Sequence, residues 1–312
     1  DASRTKFMSI KRGYHGTHFG GASVNGNTKF RQAYEPLLPG CFQISTPCAY
    51  RNVFDTDDLE TAAHKSIASL EEEIAYQGAE TIAAFIMEPV MGAGGVVAPH
   101  PDYMKMVRDV CDRNGILLIS DEVITAFGRL GTESGARHWG VKPDLMTTAK
   151  AITNREVPLA AVMISAKRAP DLENDTSGQG GVEMGYTYSG HPVGAAMALE
   201  TLAQTRRVQP WKNAAVRGAE LIDGLRALKR EYDIIGDVRG VGLMCGIEIV
   251  TDRAAKTPMA LDAMTRLQNA AYDAGVMLRV AGNTVIFSPP LVIEPAHVTA
   301  IIEATEVGVN AI

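Results

Sequence analysis

Between residues 57 and 165 the chain alternates helix-forming stretches with short apolar runs, and this alternation restricts its fold more than any other feature. Residues 57–77 (DDLETAAHKSIASLEEEIAYQ) place Asp57 and Asp58 at an N-cap and repeat apolar residues at helical spacing. TIAAFIMEPV (81–90) is short and largely apolar, which suits a buried strand. Pro101 and Asp102 open a second helix that buries Met104, Val107 and Cys111 and stops at Gly115. ILLIS (116–120), DLMTTA (144–149) and LAAVMIS (159–165) are further strands, and Phe7-Met8-Ser9-Ile10 reads as another. Helices interleaved with short apolar strands predict an α/β fold, with a mainly parallel sheet sandwiched by helices.

The second half changes character. A helical stretch runs from Pro192 to about residue 208 and another from Lys212 to Glu231. IIGDV, LMCGIEIV, VMLRV and TVIFS follow as short strands, with helices near 257–273 and 294–307. That mix predicts a smaller C-terminal α+β domain over 206–312, after a large domain over 1–205. The Gly-containing stretch 173–185 reads as a loop. The net charge of −6 and the lack of a basic stripe argue against nucleic acid as partner. No apolar run reaches the roughly 18 residues a membrane span needs. Cys41, Cys48, Cys111 and Cys245 show no metal-like spacing and read as reduced thiols of a cytoplasmic protein.

In open parallel sheets, ligands bind beyond the carboxyl ends of the strands. Asp121-Glu122-Val123 follows ILLIS directly. An acidic pair there can serve a metal, a ribose or a cationic ring, or simply cap a turn. Lys150 follows DLMTTA between Ala149 and Ala151. Lysine is rarely buried without a reason, and small neighbours leave room for a planar group on its nitrogen. Together the two residues suit pyridoxal 5'-phosphate, which wants a Schiff-base lysine and a carboxylate on its pyridinium nitrogen. The carboxylate stabilises the protonated ring, which draws in the electrons released at the substrate Cα.

DEVITAFGRLG (121–131), KPDLMTTAKAITN (142–154), VPLAAV (157–162), YTYSGHPVGAA (186–196) and VRGVGLMCGIEI (238–249) resemble class III aminotransferases of pyridoxal-phosphate fold type I. GYHGTHFGGASVNG (13–26) is similar to the ω-amino-acid:pyruvate branch of that family. The resemblance spans essentially the whole chain, with its motifs in the family's order. It implies that Lys150 carries the cofactor, that Asp121 holds the ring nitrogen, and that Val123 and Tyr14 lie on the two ring faces. Thr187 matches a threonine that reaches the cofactor phosphate of a neighbouring subunit, which implies a homodimer with shared sites. Glu88 matches an acidic residue near the cofactor, and Arg279 matches a mobile arginine that pairs with substrate carboxylate. A guanidinium fork suits that recognition. The implied partners are a small-molecule amino donor and a keto acid. His15, His18 and His191 have no metal-like partners and read as polar core or pocket-wall residues.

Two departures stand out. Arg155 follows Thr153-Asn154 where the family usually has glycine, and a left-handed backbone there would be strained. The chain also opens at Asp1 and runs at once into a strand. The family's long N-terminal segment, which supplies a Gly-Ser turn and a helix N-terminus for the cofactor phosphate, is not in it. Either the full protein has that segment, or the chain is a fragment with impaired cofactor binding. An ω-amino-acid or amine transaminase with pyruvate as acceptor is the leading reading. An aminomutase, racemase or decarboxylase on the same scaffold would share Lys150 and Asp121. A non-catalytic scaffold is the reading from another class. A nucleotide-binding domain is weakened because no GxGxxG or GxxxxGK[ST] follows a strand.

Overall fold

The computed structural model describes residues 3–174 and 185–312, so part of the predicted loop at 173–185 lies outside the described residues. Its larger sheet holds β1 (Lys6–Ile10), β2 (Cys41–Ile44), β3 (Ile82–Met87), β4 (Leu117–Asp121), β5 (Leu145–Thr148) and β6 (Ala161–Ile164). The strand order is β2-β1-β3-β4-β5-β6. The first five run parallel, and β6 pairs antiparallel with β5, Thr147 opposite Val162.

The helices around this sheet are α1 (Phe19–Val24), α2 (Leu59–Gln77), α3 (Tyr103–Asn114), α4 (Gly135–His138), α5 (Ala169–Glu173) and α6 (Pro192–Val208). Two of the capping residues read from the sequence act as caps, while Asp102 at the head of α3 makes no side-chain cap hydrogen bond. Asp58 accepts from the Thr61 amide at 2.7 Å, and Gly115 ends α3 in the left-handed region at φ 63°. α2 and α3 bring Leu70, Ile74, Met104, Val107 and Cys111 into one core with Met8, Phe85, Met87 and Leu118 of the sheet. Removing this apolar surface from water is the main stabilising term for the layer.

A second, antiparallel sheet follows. It holds β7 (Ile235–Val241), β8 (Met244–Asp252), β10 (Arg279–Ala281) and β11 (Thr284–Phe287) in the order β10-β11-β8-β7, with β9 (Thr257–Pro258) on β8. Helices α7 (Pro210–Glu231), α8 (Leu261–Asp273) and α9 (Pro295–Asn310) pack with it around Leu221, Leu225, Ile247, Leu267 and Val285. The predicted helix near 257–273 starts late, because Pro258 sits opposite Val250 as a strand residue. Close approach explains one glycine in α7. A Cβ on Gly218 would lie 2.2 Å from the Gly242 carbonyl oxygen. Among the described residues, no helix is long and apolar enough to cross a membrane.

Candidate functional site

Four strands of the large sheet deliver polar groups at their carboxyl ends. Asp121 is the last residue of β4, Lys150 stands two residues beyond β5, Glu88 directly follows β3, and Tyr14-His15 lie in the loop after β1. This is where an open α/β sheet places its ligands.

Asp121 is 7 % exposed. Its Oδ2 lies 2.8 Å from His15 Nδ1, while Oδ1 accepts from Thr147 Oγ1 and from the Val123 amide, each at 3.2 Å. Glu122, its neighbour, turns the other way. It accepts from Ser120 Oγ, Thr125 Oγ1 and the Gly135 and Ala136 amides, so it anchors the start of α4. The acidic pair therefore splits into one carboxylate held beside His15 and one that anchors a helix start.

Lys150 is half-buried and sits in the left-handed region at φ 51°. Among the described residues its amine makes no hydrogen bond or ion pair. Burial holds its pKa below the ordinary lysine value. Asp121 and Glu88 pull it back up, and Arg155 and Arg279 push it further down. Arg279 opens β10, is exposed, and has no carboxylate partner among the described residues. Its positive charge is among those that lower the Lys150 pKa.

Glu88 is 6 % exposed and clamps two loops, accepting from the Tyr14 amide at 3.0 Å and the Gly92 amide at 2.8 Å. Burial pushes its pKa up to about 6, against the opposing effect of His15 and the two amides. The Tyr14 ring meets Phe30 edge-on at 4.7 Å. The loop is held further by Asn25, whose Oδ1 accepts from the His15 amide and whose Nδ2 donates to the Gly16 carbonyl. Val123 is half-buried beside Asp121. Thr187 is exposed, and among the described residues no hydrogen bond or ion pair links it to the cluster.

His15 is the residue that the sequence reading undervalued. It is a partner of the Asp121 carboxylate, and its Nε2 is buried without a hydrogen-bond partner among the described residues. The only sequence signal was its position beside Tyr14; the contact itself spans 106 residues. His18 and His191 instead cap α1 and α6 through their ring nitrogens. Arg155 is in the left-handed region, at φ 67°, as the departure from the glycine pattern implied. Cys41, Cys48, Cys111 and Cys245 are free, and the last three are buried.

A half-buried amine without a hydrogen-bond partner among the described residues, in the field of a carboxylate held by a histidine, suits imine chemistry on a ring with a cationic nitrogen. Fold and site thus define an α/β protein with a lysine and a buried carboxylate at the carboxyl ends of its parallel strands. The family model for class III aminotransferases matches residues 1–307, and the chain belongs to that family. It is 38 % identical over 288 residues to the uncharacterized aminotransferase YhxA of Bacillus subtilis (strain 168), covering 91 % of this chain and 62 % of that protein. It is 36 % identical over 302 residues to an omega-aminotransferase of Caulobacter vibrioides, covering 96 % and 67 %. Among solved structures it superposes on an amine transaminase from an uncultivated Pseudomonas species with a TM-score of 0.96 and 42 % identity, over 99 % of this chain and 70 % of that one. The chain spans about six-tenths of the length of the Bacillus protein and of a probable gamma-aminobutyrate transaminase 3 of rice.

Proposed function

We propose that the chain carries the greater part of a pyridoxal-phosphate-dependent transaminase site, which moves an amino group from an ω-amino acid or amine to pyruvate. The observation that carries the reading is the Lys150 amine, without a hydrogen-bond partner among the described residues, in the field of an Asp121 carboxylate fixed by His15. Pyridoxal phosphate, when bound, supplies the electron sink for breaking the substrate Cα–H bond.

The chain's own residues divide the remaining work. Lys150 holds the cofactor through Nζ, and its depressed pKa keeps the freed amine ready to take and return the substrate proton. Asp121 holds the ring-nitrogen proton, with His15 fixing the carboxylate. With the cofactor bound, Val123 and Tyr14 would bound its ring. Glu88 fixes the Tyr14 loop through the Tyr14 amide. Arg279, unpaired, receives the substrate carboxylate. Thr187, which is exposed, would reach the phosphate site of a second copy in a homodimer. Relatives named omega-aminotransferase and gamma-aminobutyrate transaminase support an ω-amino donor.

The test is the absorbance of the protein with pyridoxal phosphate, before and after β-alanine, beside Lys150→Ala. A lysine-linked cofactor band that the variant lacks and that the donor bleaches supports the first half-reaction. Alanine that forms only when both β-alanine and pyruvate are present supports the second. No band in the full-length protein removes the reading.

A further inference from the structure

A cleft of about 690 Å³ opens where the end of β1 faces the β8–β9 hairpin of the small sheet. That volume lies within the roughly 300–1,000 Å³ typical of small-molecule sites. None of Tyr14, His15, Glu88, Asp121 or Lys150 lines it. Its walls carry four cations, Lys11, Arg12, Arg51 and Lys256, against two carboxylates, Asp55 and Asp57.

The pairing within the cleft is unequal. Lys256 is bound to Asp57, and Arg51 to the buried Glu248 and to the Lys256 carbonyl. Lys11 and Arg12 have no carboxylate partner among the described residues. Among the described residues the Arg12 side chain donates only to the Gly94 carbonyl oxygen. There it meets a like charge. A Cβ on Gly95 would lie 3.1 Å from Arg12 Nη2 and 3.4 Å from Arg239 Nη2, so two guanidinium groups flank Gly95, which like Arg239 is not among the residues that line the cleft. Arg239 is compensated by Asp237 and Glu248; Arg12 is not. A part-buried cation beside another cation is unfavourable unless an anion neutralises it. The backbone adds a second sign. Arg12, Asp55 and Lys256 all line the cleft and all adopt left-handed φ values, of 73°, 53° and 53°. Strain at non-glycine residues concentrates at ligand sites.

We propose that this cleft is a second ligand site, for a phosphorylated small molecule whose phosphate is held by Lys11 and Arg12 with Lys256 on the facing wall. A phosphate radiates oxygens toward cations presented from two different layers, and guanidinium and ammonium groups both suit it. The occupant bridges the large sheet and the small one. It also meets the chain directly before Tyr14-His15, so filling the cleft bears on the loop that positions Asp121.

The probe is inorganic pyrophosphate, titrated calorimetrically into protein saturated with pyridoxal phosphate, so that the cofactor's own phosphate site is filled. The expected result is saturable one-to-one binding that weakens with salt. It falls about tenfold or more in Lys11→Gln and in Arg12→Gly, each of which removes one charge-assisted contact. Glycine accepts a φ of 73°, so Arg12→Gly removes the cation while relieving backbone strain. No saturable binding, or equal binding by the variants, overturns the site. Citrate binding as tightly as pyrophosphate overturns the phosphate class.

Discussion

Replacing Arg155 by glycine should stabilise the protein, although it removes a large side chain. Arg155 and Asn154 both adopt left-handed backbone, at φ 67° and 50°, and the Arg155 amide donates to the Lys150 carbonyl at 2.9 Å. The conformation is thus tied into the turn that carries Lys150. An L-residue in this region costs about 1–2 kcal/mol. Glycine removes that cost but releases more conformational freedom in the unfolded chain, which returns about 0.5–1 kcal/mol. The Arg155 side chain is exposed and makes no hydrogen bond or ion pair among the described residues, so little opposes the change. The net expectation is a gain of roughly 0.5–1 kcal/mol, read as a higher denaturation midpoint at unchanged m-value. Arg155→Ala separates backbone from charge, since it keeps the strain and should leave the midpoint nearly unmoved. Both variants remove a positive charge that lowers the Lys150 pKa, so both should raise it, and less so in high salt. Arg155→Gly no more stable than Arg155→Ala would refute the reasoning.

Four other outcomes follow from the packing and the charges. Gly218→Ala should cost roughly 2–3 kcal/mol in chemical denaturation, because its Cβ would meet the Gly242 backbone rather than a flexible side chain. Alkylation at pH 8 followed by peptide mass analysis should label Cys41 first, since burial pushes the Cys111 and Cys245 thiols up to about 12 and keeps reagent out. His15→Ala should weaken pyridoxal phosphate binding by about 10- to 100-fold with unchanged circular dichroism, because Asp121 loses a charge-assisted partner; unchanged cofactor affinity would remove His15 from the site. Glu88 has a folded pKa of about 6, above its ordinary 4.5, so the stability it contributes is fully present below pH 4.5 and is lost as pH rises through 6. The stability of the wild type relative to Glu88→Gln should therefore fall by about 2 kcal/mol across that window in pH-dependent denaturation.

Legibility tracked how local the physics was. α2 and α3 were readable because their caps, Asp58 and Gly115, and their buried faces sit within the same few turns. β4 and β5 were readable as apolar runs, and their ends marked Asp121 and Lys150. β2 escaped, since Cys41–Ile44 is four residues long and buries only Ile44 fully. The direction of β6 also escaped, because a strand's own alternation says nothing of which way its neighbour runs. Pro258 looked like the start of a helix until β8 supplied a strand partner. His15 was invisible as a site residue for the same reason: its role is a contact with Asp121, and only the fold creates it.

The division of labour among three buried carboxylates follows from counting donors. Glu122 accepts from four groups, two hydroxyls and two amides, all inside the chain. Its oxygens are spent on the turn into α4. Glu88 accepts from two amides that belong to different loops, and its raised pKa shows that burial outweighs them. It is a clamp, and it tolerates a proton near pH 6. Asp121 differs from both. One amide and one hydroxyl hold Oδ1, His15 holds Oδ2, and the group keeps a slight exposure. It is also the foremost of the charges that raise the Lys150 pKa, so its field reaches the lysine side of the cluster. A carboxylate that is fixed in direction, partnered by a histidine and still open at one edge can meet a ring cation; a saturated one cannot. Position at a strand end nominated both Asp121 and Glu122, and hydrogen-bond supply is what separates them.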